Sequence, residues 1–317
     1  MSDKQINKWL RRQFSPIGWS LVAFYGILNL LAALGIGVEV LKQLLPSIAA
    51  GEFPQIDWNS TMNNGWGYIA AVLTVLAIAH AWKGPDHFRR EVCAKVQPLA
   101  IREAAILLCL CIGAQMVNTA WITMLETVMN LFGRSVLEDL EAVSGATDTF
   151  SMFLYASIVA PIGEELLFRG YLLRALRPYG KRFAILASAL LFGLFHGNLL
   201  QAPYAFLVGL ILGYVTVEHS IGWAVGIHMF NNLVMADLLT RLTMGWSEIA
   251  LGILNLTIFG SCFVASAVIL TKNRSRIREY RENEWIDRRV LKCFFLNSGI
   301  LALTMLMVGN MILMLFA

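Results

Sequence analysis

Apolar runs close to the roughly 20 residues needed to cross a bilayer recur from one end of this chain to the other. Nine can be read: Ile17–Val40, Trp66–Trp82, Ala104–Phe132, Phe150–Leu173, Phe183–Leu200, Tyr204–Val217, Ile221–Leu239, Ile249–Thr271 and Phe294–Phe316. Tyr204–Val217 is short enough to be re-entrant instead, so the expected count is eight or nine. Composition points the same way. Charged residues make up 15% of the chain, against about 25% in average globular proteins, and the mean hydropathy is +0.63. The expected fold class is all-α, a polytopic transmembrane helix bundle, and a soluble domain is excluded.

Net charge is +4, and its placement matters more than its size. Lys4–Arg12, Lys83–Arg102, Arg169–Arg182 and Lys272–Lys292 hold 22 of the 25 Lys and Arg. These clusters alternate correctly with nine spans if the N-terminus is cytoplasmic. The opposite loops, Leu41–Gly65 and Gly133–Thr149, are acidic or neutral. The basic surface is expected to face anionic lipid head groups, not nucleic acid. Lys272–Lys292 alternates charge with Ile277, Tyr280, Trp285 and Ile286 and reads as an interfacial helix. Ile17–Val40 is too long for the apolar core of a cleavable signal. The cysteines, Cys93, Cys109, Cys111, Cys262 and Cys293, show no metal-type pairing and are expected to be free and packed. The organisation expected is a scaffold over 1–149, a core over 150–239, and a second scaffold over 240–317 that includes the interfacial segment 272–292.

Ionisable residues inside such runs are expensive and usually mark a working site. Within Phe150–Leu173 the chain reads Gly163-Glu164-Glu165-Leu166-Leu167-Phe168-Arg169. Glu165 and Arg169 stand four apart, glutamate first, the order that favours an ion pair on one helix face. Glu164 is turned about 100° away and can face a cavity. That would leave Glu165 as an ionised strut and Glu164 as a proton acceptor. Read alone, the cluster is also compatible with a structural ion pair near the interface.

Two further segments carry polar residues at helical spacing, Phe192-x-x-x-His196 and His228-x-x-x-Asn232. Arg177-Pro178-Tyr179-Gly180-Lys181 is a turn signal, and Glu164 and His196 are each 16 residues from Gly180. In an antiparallel helical hairpin they should therefore lie at one depth. His228 and Asn232 share a face as donors that could converge on one oxygen, as a developing oxyanion requires; helix–helix hydrogen bonding explains the pair alone equally well. Asn231 lies on another face. His80, His87 and His219 lack partners at convincing spacing, and Asp237 reads as a helix-end residue. Gly193, Gly197, Gly209, Gly213, Gly222 and Gly226 fall four apart in pairs, a pattern that permits close helix approach.

Taken in order, Glu164-Glu165-x-x-x-Arg169, Phe192-x-x-x-His196 and His228-x-x-x-Asn232 on successive apolar segments resemble the CPBP group. This comprises the type II CAAX prenyl endopeptidases and related bacteriocin-processing and immunity proteins. The surroundings, Glu-Glu-Leu-Leu-Phe-Arg-Gly-Tyr-Leu-Leu-Arg and Ser-Ala-Leu-Leu-Phe-Gly-Leu-Phe-His, are similar too. The resemblance spans about Phe150–Leu239, under a third of the chain. It implies an intramembrane endopeptidase, acting on prenylated or toxin-type peptides, in which Glu164 is the general base and His196 shares its water. It also implies that His228 and Asn232 bind the oxyanion while Glu165 and Arg169 orient Glu164.

No cofactor is expected. Two histidines and a glutamate would permit zinc, but the chain lacks His-Glu-x-x-His on one helix, and Arg169 beside the glutamates disfavours a cation. The alternatives to a protease are a membrane binding or immunity protein that does not hydrolyse, and a proton-coupled transporter. No inverted repeat encourages the latter. The expected partners are a membrane-associated peptide or protein substrate and anionic lipid, and the expected location is a bacterial plasma membrane.

Overall fold

The computed structural model describes residues 2–83, 97–137, 149–283 and 286–316. Twelve helices and no strands are present among them. They are α1 (Asp3–Ala49), α2 (Trp58–Met62), α3 (Trp66–Lys83), α4 (Ile101–Asn130), α5 (Phe150–Tyr179), α6 (Lys181–Phe195), α7 (Ala202–Glu218), α8 (221–242), α9 (Glu248–Lys272), α10 (Arg274–Asn283), α11 (Arg288–Phe295) and α12 (Ser298–Phe316). Cys93, His87 and Trp285 lie outside the described residues.

Among the described residues, six helical stretches are long and apolar enough to cross a membrane: Asp3–Ala49, Ser60–Ala81, Ile101–Asn130, Phe150–Tyr179, Glu248–Lys272 and Ser298–Phe316. Ala202–Glu218 is a shorter apolar helix. The helix within Phe183–Leu200 ends earlier than the sequence reading placed it. The helix there stops at Phe195 after 15 residues, about 22 Å of rise against a hydrocarbon layer of about 30 Å. Gly197 takes a positive φ of 66°, a conformation that side chains with a Cβ resist. The chain turns there and re-enters the bundle as α7.

Leu41–Gly65 is likewise not a plain loop. α1 continues through Pro16 and Pro46 to Ala49 and ends against Gly51, whose φ is +70°. Its 47 residues rise about 70 Å, so the helix outruns any bilayer. Lys272–Lys292 is also not one helix. The charged α10 is followed by α11, which Asp287 caps by accepting from the Arg289 backbone N–H. α11 buries Val290, Cys293 and Phe294 and packs on α1.

The core joins α1, α5, α6, α7, α11 and α12. At one end Phe14 meets Tyr179, Phe183 and Phe294 with ring centroids 4.8, 6.4 and 5.3 Å away. α5 and α6 form the antiparallel hairpin the turn signal requires. Gly180, with φ +118°, sits at the bend. Phe168 and Phe192 are each 12 residues from it, and their rings touch edge to face at 5.2 Å. Ser188 Oγ–H donates to Phe168 O at 2.8 Å, pinning the register. α6 and α7 then pack tightly. A Cβ on Gly193 would lie 2.7 Å from Ala202 O, and one on Gly209 3.1 Å from Ala189 Cα. Gly222 and Gly226 make no such approach, so only part of the small-residue pattern serves packing.

Candidate active site

α5, α6 and α8 deliver the chemistry to one place, and local helix geometry explains how. In α5, Glu164 and Glu165 lie on an α-helical step (Ala160–Glu165) between two widened, π-helical stretches, Tyr155–Val159 and Leu166–Leu173. The Ala160 N–H reaches Tyr155 O, five residues back. Such π turns shift side chains off the regular helical face and concentrate at functional sites. α8 shows the same feature over Asn231–Leu238, just after His228.

Glu165 and Arg169 form the expected pair. Both are fully buried, and Arg169 Nη1 donates to Glu165 Oε1 at 2.9 Å. The guanidinium is held further by Gly209 O at 3.2 Å from Nη2 and by the Phe192 ring, whose centroid is 4.3 Å from Cζ. A cation so placed gains from the ring quadrupole in a desolvated setting. The close approach at Gly209 therefore also brings a backbone carbonyl to the arginine.

His228 joins this pair, a contact that its spacing to Asn232 did not reveal. Its Nδ1–H donates to Glu165 Oε1 at 2.9 Å, and its Nε2 lies 3.8 Å from Glu164 Oε2. One imidazole thus spans both glutamates. Glu164 keeps about a third of its side chain exposed, unlike its buried neighbour.

His196 caps the C-terminal end of α6. Its Nδ1 is 2.9 Å from Phe192 O; a carbonyl can only accept, so Nδ1 carries the proton and Nε2 holds the lone pair. The Phe192-x-x-x-His196 spacing supplies that carbonyl and also an edge-to-face ring contact at 5.0 Å. Phe192 touches His228 as well, at 5.7 Å.

Asn232 Nδ2 donates to Ala156 O in the π stretch of α5 at 3.1 Å. Its Oδ1 accepts from Asn231 Nδ2 at 3.3 Å, and Asn231 Oδ1 accepts from Tyr204 O–H at 2.6 Å. Tyr204 and Asn231 thus lead to Asn232 through one chain of hydrogen bonds; the sequence reading placed Asn231 on another face and did not single out Tyr204. Nothing local in the sequence marks Tyr204, because its partner Asn231 lies on another helix. Asp237 pairs with Arg241 Nε at 2.8 Å.

Two cavities meet at this cluster. Glu164, His196, His228 and Asn232 line one of about 630 Å³. Glu164, Phe192 and His196 also line a second of about 340 Å³, walled by aromatic and aliphatic side chains such as Phe24, Tyr25 and Leu167. Glu164 and His196 therefore share the depth expected from the hairpin and stand at the junction. A water there would meet two proton acceptors, Glu164 and His196 Nε2, in a cavity that His228 and Asn232 also line.

Among the described residues, no three His, Cys, Asp or Glu side chains gather closely enough to hold a metal ion. Glu165 Oε1 is shared by Arg169 and His228, and a guanidinium held against this carboxylate opposes a second cation beside it. Of the remaining candidates, His219 is buried at the end of α7 and away from this cluster, and Cys109, Cys111, Cys262 and Cys293 are free.

Comparison with curated proteins and with solved structures finds no match. Residues 146–234 match the family model described as type II CAAX prenyl endopeptidase, Rce1-like. All six candidate residues fall inside that stretch, which covers under a third of the chain. The stretch that carries the six candidate residues is thus similar in sequence to the type II CAAX prenyl endopeptidase family.

Proposed function

We propose that this chain is an intramembrane endopeptidase that hydrolyses a peptide bond with water activated by Glu164 and His196. One observation carries the reading. Two proton acceptors and two hydrogen-bond donors, from three helices, line one cavity inside an apolar bundle.

In this mechanism Glu164 takes a proton from the water, with His196 Nε2 sharing the load. The hydroxide adds to the scissile carbonyl carbon, and the carbonyl oxygen becomes an oxyanion. His228 Nε2–H and the second hydrogen of Asn232 Nδ2 bind that oxygen. His228 carries both ring protons at this point. With the water's proton on Glu164, the charges of Glu165, Arg169, His228 and the oxyanion sum to zero, which limits the cost of placing them away from water. Collapse of the intermediate breaks the C–N bond, and the proton held by Glu164 passes to the leaving amine. Glu165 and Arg169 act through His228: they fix its ring and touch no substrate. No step uses a metal.

The family match supports a membrane-associated peptide as substrate, of the prenylated-cysteine or the toxin type. We assign the chain eight or nine membrane segments with a cytoplasmic N-terminus, from the alternation of its basic clusters, and place it in a bacterial plasma membrane.

The test uses purified full-length protein in lipid nanodiscs with two quenched fluorescent peptides. One ends in a farnesylated CAAX-type tail and the other is an unprenylated apolar peptide. Wild type is expected to cleave at least one of them, and Glu164→Gln is expected not to. Equal cleavage by both proteins overturns the mechanism.

A further inference from the structure

Most polar side chains on the wall of the larger cavity are already committed. Asn232 donates to Ala156 O, Tyr204 donates to Asn231, and Gln201 accepts from Asn198. Asp237 is paired with Arg241. Two are different. Asn118 on α4 and Ser157 on the first π stretch of α5 line the same cavity as Glu164 and His196. They are 5% and 1% exposed, and Asn118 Oδ1 and Ser157 Oγ have no hydrogen-bond partner.

Buried polar atoms without partners cost about 1–3 kcal/mol each. Helical serines and threonines usually avoid this by donating to a carbonyl one turn back. This chain follows that habit repeatedly: Thr119, Thr123, Thr216 and Ser266 all do so. Ser157 does not. Its neighbour in the same widened turn, Ala156, gives its carbonyl to Asn232. Asn118 sits one turn before Trp121, whose Nε1–H donates to Leu199 O at 2.8 Å in the turn after His196. α4 is thereby fastened beside the candidate site with an amide oxygen left over.

We propose that Asn118 and Ser157 form a subsite that holds the main chain of an extended peptide next to Glu164. The chemistry selects this occupant. Asn118 Oδ1 can only accept, so its partner must be a donor, as a backbone N–H is. Ser157 Oγ–H can donate to a carbonyl. An extended peptide presents N–H and C=O groups in alternation, whatever its side chains, and hydrogen bonds to that backbone give affinity without reading sequence. An acyl or prenyl chain offers neither group. The subsite rests on the peptidase reading for its ligand class, but not on the identity of the base.

The experiment measures binding by fluorescence polarisation of the same two peptides, labelled but unquenched. The protein is Glu164→Gln in nanodiscs, with Asn118→Leu or Ser157→Ala added. Losing one backbone hydrogen bond is expected to raise Kd at least roughly fivefold for a peptide that binds. A residue kept for structure would lower the melting temperature when replaced; an unpartnered polar group replaced by an apolar one should leave it unchanged or raise it. The expected result is weaker binding in both variants without loss of thermal stability. A change below fivefold in either variant overturns the subsite, as does a fall in melting temperature that accompanies the lost affinity. Failure of both peptides to bind also overturns it. If one variant does not fold, the other decides. An active Glu164→Gln enzyme would sink the mechanism alone, and the binding data would still judge the subsite.

Discussion

His228 Nδ1 lies 2.9 Å from Glu165 Oε1, the same oxygen that Arg169 Nη1 reaches at 2.9 Å. Glu165 therefore works as a buried hub that holds a guanidinium from its own helix and an imidazole from α8. Breaking a buried pair by removing one partner costs about 3–5 kcal/mol, because the other charge stays behind unpaired. Glu165→Leu is expected to cost that much, read as lost thermal stability or lost accumulation in the membrane. The double change Glu165→Leu with Arg169→Leu should recover most of the stability, since no lone charge remains, and still fail to cleave peptide. Recovery of cleavage by the double variant would show that the hub does not position His228.

Glu164 behaves oppositely. It keeps about a third of its side chain exposed, and its nearest charged contact is His228 Nε2 at 3.8 Å. Little of the fold depends on it. Glu164→Gln is expected to melt within about 1 kcal/mol of wild type, as changes outside packed networks usually do. Its kcat should nonetheless fall by about 10²–10⁴, the usual contribution of a positioned base. Single-turnover cleavage with parallel thermal melts checks both halves.

If Glu164 and His196 act on one water, their losses overlap. Residues that act as a unit are strongly non-additive. His196→Ala is expected to lower kcat by about 10²–10⁴ with little change in KM, and the Glu164→Gln, His196→Ala double variant should be no slower than the slower single one. Multiplicative losses in the double variant would mean that the two side chains serve separate steps.

How much of this was readable beforehand depends on whether the partners are near in sequence. The Glu165–Arg169 pair follows from four-residue spacing. The shared depth of Glu164 and His196 follows from counting to Gly180, and Phe168 against Phe192 shows the same register in ring contacts. His228 on Glu165 bridges 63 residues, and no local pattern announces it. Tyr204 with Asn231, and Asn118 beside the cavity, escape for the same reason. Helix ends were misread where apolarity outweighed backbone geometry. Leu199 and Leu200 look like span, yet Gly197 at φ +66° has already turned the chain. Leu41–Gly65 read as a loop, yet α1 runs through Pro46 to Ala49.

The metal question has a direct answer in solution. Glu165 Oε1 is shared by Arg169 and His228, and no three ligand-type side chains gather among the described residues. Cleavage in nanodiscs is therefore expected to survive prolonged treatment with EDTA and dialysis, to within twofold of the untreated rate. Loss of activity that zinc alone restores would reverse the assignment of Glu164 as a free base.

Packing between α6 and α7 decides whether the hub can form at all. A Cβ on Gly193 would stand 2.7 Å from the Ala202 carbonyl, which is backbone and cannot swing aside. Overpacking of this kind costs about 1–3 kcal/mol. Gly226, on α8 two residues before His228, has nothing within 4 Å of the point its Cβ would occupy. Gly193→Ala is thus expected to lower the melting temperature and activity together, because moving α7 also moves Gly209 O away from Arg169. Gly226→Ala should leave both near wild type. The contrast separates close approach from helix propensity, which favours alanine at both positions by up to about 1 kcal/mol. Equal behaviour of the two variants would mean that the α6–α7 contact does not set the site.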